Sequence, residues 1–197
     1  SGEFKGSGEY LSLADSDDWN FGTGDFTIDF WTRIASLPQN GAQAYFYDQR
    51  VDSPGYGDVS VRLDSSGSTV KLQFFGYENG VSLAEYSYTW PATANVWYHI
   101  AVVRSDTTLL LFIDGTKITW TSTVTVIGSN SLPNLASSLW IGSELGTQGY
   151  LNGWIDEPRV SKGIARWTSN FTPPSAPYET DTTAPTVSST SPASSAT

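Results

Sequence analysis

The 197-residue chain contains no cysteine and no methionine, and it has a single histidine, His99. Without cysteine it can form neither a disulfide nor a thiolate metal site, and it offers no cysteine nucleophile. One histidine also excludes a metal site built from several imidazoles. The missing methionine at position 1 predicts that the sequence begins inside a longer protein, so residues 1–4 receive no functional weight.

Basic residues are also scarce, with ten Lys and Arg against twenty Asp and Glu, for a formal net charge of −10. A surface of this sign repels a phosphate backbone, so nucleic acid is not an expected partner. The sequence has no apolar run near the roughly 18 to 20 residues that span a bilayer, so we expect no membrane insertion.

Aromatic residues are abundant at 14% of the chain, and apolar residues recur with a period of two in many short segments. This alternation indicates β-strands, while no segment keeps the 3.6-residue period of an amphipathic helix. We predict strands at 9–13, 25–34, 44–49, 57–64, 69–76, 81–88, 97–104, 108–114, 117–121, 138–142 and 152–160.

Turn residues between these segments predict an antiparallel arrangement. The pair Asp114-Gly115 lies between two alternating runs, and Asp-Gly favours the positive φ angles of a type I′ hairpin. Residues 77–80 (YENG) are predicted to join another pair of strands. Successive hairpins without intervening helices favour two packed sheets, so the expected fold is an all-β, two-sheet antiparallel sandwich of the jelly-roll type.

The composition changes after Tyr178. Eleven of the nineteen residues in 179–197 are Ser or Thr, and none is basic or aromatic. Such a segment cannot bury a core. We therefore predict one domain at 1–178 and a linker at 179–197. The string 181–197 resembles the lead-in to bacterial immunoglobulin-like modules, which implies neighbouring domains in a multidomain extracellular or surface protein.

Four segments in order resemble a known family: 8–13 (GEYLSL), 24–34 (GDFTIDFWTRI), 97–104 (WYHIAVVR) with 111–115 (LFIDG), and 139–167, which includes LNGWIDEPRVSKGIARW. Together they are similar to laminin-G-like domains of the concanavalin A-like lectin and glucanase superfamily, as found in bacterial and phage surface proteins. The resemblance implies a jelly roll. It leaves the function open, because this fold occurs in sugar-binding, adhesion, calcium-dependent and glycan-cleaving domains.

Enzymatic activity is not expected. Glucanases of the superfamily carry Glu-x-Asp-x-x-Glu on one strand, and the sequence has no such motif. Asp156 and Glu157 are adjacent, so strand alternation places them on opposite faces, with one acid inward and one solvated. His99 lies in an alternating strand, which favours a structural histidine over a catalytic one.

Calcium is a candidate cofactor, because it needs only oxygen ligands. The resemblance to calcium-binding relatives such as the pentraxins points to loop acids, and we predict Asp58, Glu144 and Asp156 as metal ligands. Glu144 follows a Trp-Ile-Gly strand end, as a pentraxin ligand does, but Leu145 and Gly146 replace further polar ligands. The alternative is that these acids are solvated.

A carbohydrate is the expected ligand, since sugar sites combine aromatic rings with amide and charged side chains. Tyr56, Tyr77 and Asn79 are the predicted contact residues, because their neighbours are turn formers rather than core residues. The sequence thus predicts a non-catalytic, lectin-like module that binds a glycan or cell-surface ligand, with calcium as a candidate. The alternative is an adhesion or spacer domain that recognises a protein, and a glycan hydrolase is the third option.

Overall fold

A computed structural model describes residues 1–52 and 55–178. The strands of these residues are β1 (Gly2–Lys5), β2 (Leu11–Leu13), β3 (Phe26–Ile34), β4 (Gln43–Val51), β5 (Gly57–Ser66), β6 (Thr69–Glu78), β7 (Val81–Thr89), β8 (Trp97–Ser105), β9 (Thr108–Ile113), β10 (Thr116–Ile118), β11 (Thr121–Ser122), β12 (Leu139–Ile141) and β13 (Asn152–Lys162). A short 3-10 turn, Asp17–Trp19, lies between β2 and β3. The predicted linker, 179–197, lies outside the described residues.

Within the described residues, the strands form two antiparallel sheets. The six-stranded sheet has the order β1-β13-β3-β8-β9-β10, and the seven-stranded sheet has the order β11-β7-β6-β5-β4-β12-β2. Their inner faces pack together, so the predicted all-β jelly-roll sandwich is confirmed. Among these same residues, no helix has the length and hydropathy that crossing a bilayer requires.

Strand alternation creates the core between the sheets. In β3, Phe26, Ile28, Phe30 and Ile34 all face this core and are buried. In β5, the core positions are Val59, Val61 and Leu63. Because successive strand residues point to opposite faces, the residues between them in β5 lie on the outer face of the seven-stranded sheet.

The predicted hairpin at Asp114-Gly115 is confirmed. The two residues join β9 to β10 and have φ angles of 51° and 72°. Glycine is required at the second position for another reason as well, because a Cβ there would lie 1.9 Å from the main-chain oxygen of Phe171. The hairpin is therefore packed directly against the C-terminal segment.

That segment, residues 163–178, packs on the outer face of the six-stranded sheet, and we call it the C-terminal strap. The rings of Trp167 and Phe171 stack at a centroid distance of 4.0 Å, and both rings stand edge-on to His99. His99 is fully buried, as the structural interpretation of this histidine predicts. The strap thus completes a second small apolar cluster outside the main core.

Some element bounds differ from the predictions. β1 was not predicted, yet it pairs with β13 and buries Phe4, so residues 1–4 do have a structural role. The strand predicted at 117–121 is interrupted, because Trp120 turns inward and its Nε1 donates to the main-chain oxygen of Leu109 at 3.0 Å. Alternation does not show where a side-chain hydrogen bond will break a strand.

Candidate functional site

The outer face of the seven-stranded sheet carries rows of polar and aromatic side chains across its central strands. The register of β4, β5 and β6 places Arg50 beside Asp58 and Asp58 beside Tyr77. The next rows are Asp48, Ser60 and Phe75, and then Tyr45, Arg62 and Gln73. We call this surface the sheet-face site.

The three residues predicted to contact a ligand lie together at one end of the sheet-face site. The rings of Tyr56 and Tyr77 meet edge to face at a centroid distance of 5.9 Å. Asn79 belongs to the adjacent two-residue turn between β6 and β7, where the N–H of Gly80 donates to the main-chain oxygen of Tyr56 at 3.1 Å. Asn79 is exposed and both tyrosines are half-buried. The two rings and the turn that carries Asn79 therefore form one patch.

Two of the three predicted metal ligands border the same patch. The guanidinium of Arg50 forms an ion pair with Glu144 and lies over the ring of Tyr56, 4.8 Å from its centroid. The hydroxyl of Tyr56 donates to Oδ2 of Asp58 at 3.1 Å. Arg50 and Tyr56 thus connect Asp58 on β5 with Glu144 in the loop after β12.

Two carboxyl groups are buried beneath this layer. Asp48 and Asp58 are both fully buried, and Oδ2 of Asp48 accepts the N–H of Leu145 at 3.0 Å. In the part of the chain that the structure describes, Oδ1 of each acid has no hydrogen-bond partner. Burial, followed by the charge of Asp58, raises the pKa of Asp48 to about 8, and burial also raises the pKa of Asp58.

The opposite end of the site is a fixed platform. Nη1 of Arg62 donates to the hydroxyl of Tyr45 at 2.7 Å, and the guanidinium lies 3.9 Å from the centroid of the Phe75 ring. Tyr45 and Phe75 are themselves buried. Arg62 is therefore held flat on the sheet with its remaining N–H groups available for a ligand.

The cation that pairs with Glu144 at the sheet-face site is the guanidinium of Arg50. Among residues 1–52 and 55–178, no three His, Cys, Asp or Glu side chains converge as a metal ion requires. The unpartnered oxygens of Asp48 and Asp58 suit a hard cation that takes oxygen ligands. A calcium ion would fit only if Arg50 left Glu144.

The third predicted metal ligand, Asp156, lies apart from the site, on β13 of the six-stranded sheet. The predicted separation of Asp156 and Glu157 to opposite faces is wrong. A β-bulge between Asp156 and Arg159 breaks the alternation, and Glu157 has a φ of 50°. Both acids line one depression beside Trp31 and Trp97, and neither is inward.

Glu157 already has a partner, because its carboxylate accepts the N–H of Tyr178 at 2.9 Å. This contact fastens the end of the C-terminal strap to β13, which is a structural role. The side chain of Asp156 is 44% exposed.

Sequence reasoning did not select Arg50 and Arg62, although both are central to the sheet-face site. A signal was present for Arg62, which alternates with apolar residues in the segment predicted as a strand at 57–64, in a chain with ten basic residues. An outward arginine on such a strand indicates a charged sheet face, whereas Arg50 lies one residue beyond the strand predicted at 44–49. The alignment of both arginines with Asp58 and Tyr77 depends on the register, which the sequence does not state.

The chain matches a laminin G family model of the concanavalin A-like lectin/glucanases superfamily over residues 5–166. It belongs to that family, as the resemblance of its motifs predicts. Among curated proteins, none matches the chain.

Solved structures share the fold at low sequence identity. A SAP-like pentraxin from Limulus polyphemus is 15% identical with a TM-score of 0.56, covering 86% of this chain and 76% of its own. The CBM40 of the Ruminococcus gnavus IT-sialidase, bound to α2,3 sialyllactose, is 12% identical with a TM-score of 0.53, covering 81% and 92%. Domain 4 of AbnA, an extracellular arabinanase from Geobacillus stearothermophilus in complex with arabinotriose, is 15% identical with a TM-score of 0.52, covering 79% and 68%.

Proposed function

We propose that this domain is a non-catalytic carbohydrate-binding module and that the sugar binds at the sheet-face site. The observation that carries the proposal is the contact between the rings of Tyr56 and Tyr77, with the turn that carries Asn79 beside them. The fold is lectin-like, and similar structures include modules bound to sialyllactose and arabinotriose, which supports a glycan as the ligand class.

The patch contains the groups that sugar recognition uses. Aromatic rings pack against the C–H faces of a pyranose or furanose, while amides and guanidinium groups bond its hydroxyls. Tyr56 and Tyr77 supply the rings, Asn79 supplies an exposed amide, and Arg50 and Arg62 supply N–H donors. Because Arg50 is tied to Glu144 and Arg62 to Tyr45, little side-chain entropy remains to be lost on binding.

We propose calcium as the cofactor of the same site, with Asp58, Glu144 and Asp48 as the residues that would hold it. The support is chemical: the two unpartnered buried carboxylate oxygens, considered within the described residues, are acceptors of the kind calcium takes. The bound ion would replace the guanidinium of Arg50 as the counter-charge of Glu144. Sugar binding would thus depend on calcium through the competition between the ion and Arg50 for Glu144.

The non-enzymatic assignment is part of the proposal. It is supported by the lack of a Glu-x-Asp-x-x-Glu motif and by the structural bond that holds Glu157 to the C-terminal strap. We further propose an extracellular or cell-surface setting with neighbouring domains in the same chain, on the grounds of the Ser- and Thr-rich composition of residues 179–197.

A glycan array probed with the wild-type domain, with calcium and with chelator, tests the proposal. We expect a defined glycan class to bind, and the Tyr77→Ala variant to lose at least about tenfold in affinity, since a stacking or packing ring contributes on the order of 1 kcal/mol or more. Trp97→Ala is the matched control, because Trp97 is a partly exposed aromatic residue on the other sheet.

No binding to any glycan on the array, with calcium or with chelator, would contradict sugar binding and favour the rival assignment, an adhesion or spacer domain. Equal losses of glycan affinity for Tyr77→Ala and Trp97→Ala would show that the sugar does not bind at the sheet-face site. Release of reducing sugar from any bound glycan would refute the non-enzymatic assignment.

A further inference from the structure

A cavity of about 830 Å³ lies between the two sheets, on the side of the sandwich formed by β2 and β13. Its apolar wall comes from both sheets: Leu11 and Leu13 of β2, Ile28 and Phe30 of β3, and Leu139 and Ile141 of β12. This volume falls within the range of about 300 to 1,000 Å³ that is typical of small-molecule sites. The cavity is separate from the sheet-face site, which lies on an outer surface.

The wall contains hydrogen-bond donors that have no acceptor. The side chain of Tyr47 is 1% exposed, and its hydroxyl has no partner among the described residues. Nε1 of Trp19, which also lines the cavity, likewise has no hydrogen-bond partner in the part of the chain that the structure describes. Buried donors are normally paired, because leaving them unpaired forfeits the hydrogen bonds they made with water. A ligand acceptor in the cavity would restore those bonds.

The charged side chains around the cavity nearly balance, unlike those of the whole chain. The lining residues with charged side chains are Arg159, Lys162, Arg166, Asp18 and Asp29. Arg159 and Asp29 neutralise each other through bonds of 3.0 and 2.9 Å. Lys162 and Arg166 then stand against Asp18, and Nζ of Lys162 donates to the main-chain oxygen of Asp17 at 2.6 Å. The lining therefore lacks the strong negative charge of the chain, −10, and does not repel an anion.

The entrance has the exposed apolar side chains expected of a site for an aliphatic molecule. Leu11 is 54% exposed, Leu13 48% and Ile164 48%, and all three line the cavity. The β-bulge before Arg159 lies at this same edge and disrupts the local pairing of β13 with β3. Bulges often occur beside functional sites for this reason.

We propose that this inter-sheet cavity binds a small amphipathic carboxylate, with an aliphatic body between the sheets and a carboxylate that accepts hydrogen bonds from the unpaired donors of the wall. Lys162 and Arg166, which line the cavity and pair with no carboxylate among the described residues, supply the counter-charge. The inference does not rest on the proposed sugar binding, because the two sites share no residue.

Titration calorimetry with dodecanoate, below its micelle-forming concentration, tests the proposal on the full chain. We expect saturable binding with one site per chain, and weaker binding of dodecyltrimethylammonium, which has the same tail and the opposite charge. Tyr47→Phe should weaken dodecanoate binding about tenfold, since it removes one hydrogen bond to a charged acceptor. The unliganded variant should unfold at the same urea concentration as the wild type or a higher one, because the lost hydroxyl has no partner among the described residues of the free protein.

Two further variants separate the cavity from surface adsorption. Val160→Phe places a larger side chain in the wall and should reduce dodecanoate binding, while a circular dichroism spectrum like that of the wild type would show that the fold is retained. Lys117→Gln removes an exposed cation from β10 and should leave binding unchanged. No saturable binding, equal binding of the cationic amphiphile, or an equal effect of Lys117→Gln and Tyr47→Phe would overturn the proposal.

Discussion

The hydroxyl of Tyr178 donates a hydrogen bond to the buried carboxylate of Asp29, 149 residues earlier in the chain. Asp29 also accepts two bonds from Arg159, at 3.0 and 2.9 Å, and lies 3.5 Å from Nε2 of His99. The guanidinium of Arg159 stacks on the ring of Tyr178, 3.6 Å from its centroid. One carboxylate therefore holds together β3, β8, β13 and the end of the C-terminal strap.

We predict that Asp29→Asn destabilises the domain by about 3 kcal/mol, because the substitution leaves the guanidinium of Arg159 without its charged partner in a largely buried setting. Urea denaturation followed by tryptophan fluorescence measures the change. The control is Asp156→Asn, because the Asp156 side chain is 44% exposed and an exposed charge should contribute less than about 1 kcal/mol. Equal stabilities of the two variants would contradict the central role of Asp29.

The same carboxylate predicts a dependence of stability on pH. Burial alone would raise the pKa of Asp29, but the hydrogen bonds from His99, Arg159 and Tyr178 outweigh it, and the pKa lies below the ordinary value of 3.8. A carboxyl whose pKa is lowered by folding stabilises the folded state above its unfolded pKa. This contribution is lost as the pH falls through the folded pKa.

We therefore expect the stability difference between wild type and Asp29→Asn to be constant above about pH 5 and to shrink toward pH 2. Urea midpoints of both proteins at a series of pH values give this difference directly, and the titrations of the other acids cancel in the subtraction. A difference that is unchanged at low pH would show that the charge of Asp29 does not account for its effect.

Gly115→Ala should be costly because two penalties act at one position. The residue has a φ of +72°, and its new Cβ would lie 1.9 Å from the main-chain oxygen of Phe171. Gly67→Ala isolates the first penalty, since Gly67 has a φ of +59° and a Cβ added there would have nothing within 4 Å. We predict a loss of about 1 kcal/mol for Gly67→Ala and of about 3 kcal/mol or more for Gly115→Ala.

Thermal unfolding measures both losses. Hydrogen exchange on Gly115→Ala should show faster exchange in the C-terminal strap, because the clash is relieved by moving the strap rather than the hairpin. Equal losses of stability for the two glycine variants would mean that the C-terminal strap moves away from residue 115 without a cost in free energy.

Calcium binding at the sheet-face site predicts opposite effects for neighbouring substitutions. Glu144→Gln and Asp58→Asn should weaken calcium binding, since each removes a carboxylate ligand. Arg50→Gln should tighten it, because the guanidinium competes for Glu144. Calorimetric titration with calcium measures all three, and Asp156→Asn should match the wild type because Asp156 lies on the other sheet. Weaker binding by Arg50→Gln would contradict the competition.

Part of the composition of the candidate site was predictable, but its assembly was not. Tyr56, Tyr77 and Asn79 are identifiable from their turn-forming neighbours, and in the structure the two rings meet beside the turn that carries Asn79. Asp156 illustrates the limit. It has the residue type of a metal ligand, yet it lies on the other sheet, where it pairs with Trp31 of β3, and no pattern of residue types records this.

The sequence alone determined the fold class, because alternation with a period of two and turn residues act locally and leave each strand with one apolar face to bury. It also determined the Asp114-Gly115 hairpin, whose φ angles depend on those two residues. Only the tertiary structure decided that Arg50, Asp58 and Tyr77 share a row, and that Tyr178 reaches Asp29. Register and long-range docking arise from the packing of the whole sandwich, in which each strand's position depends on its neighbours.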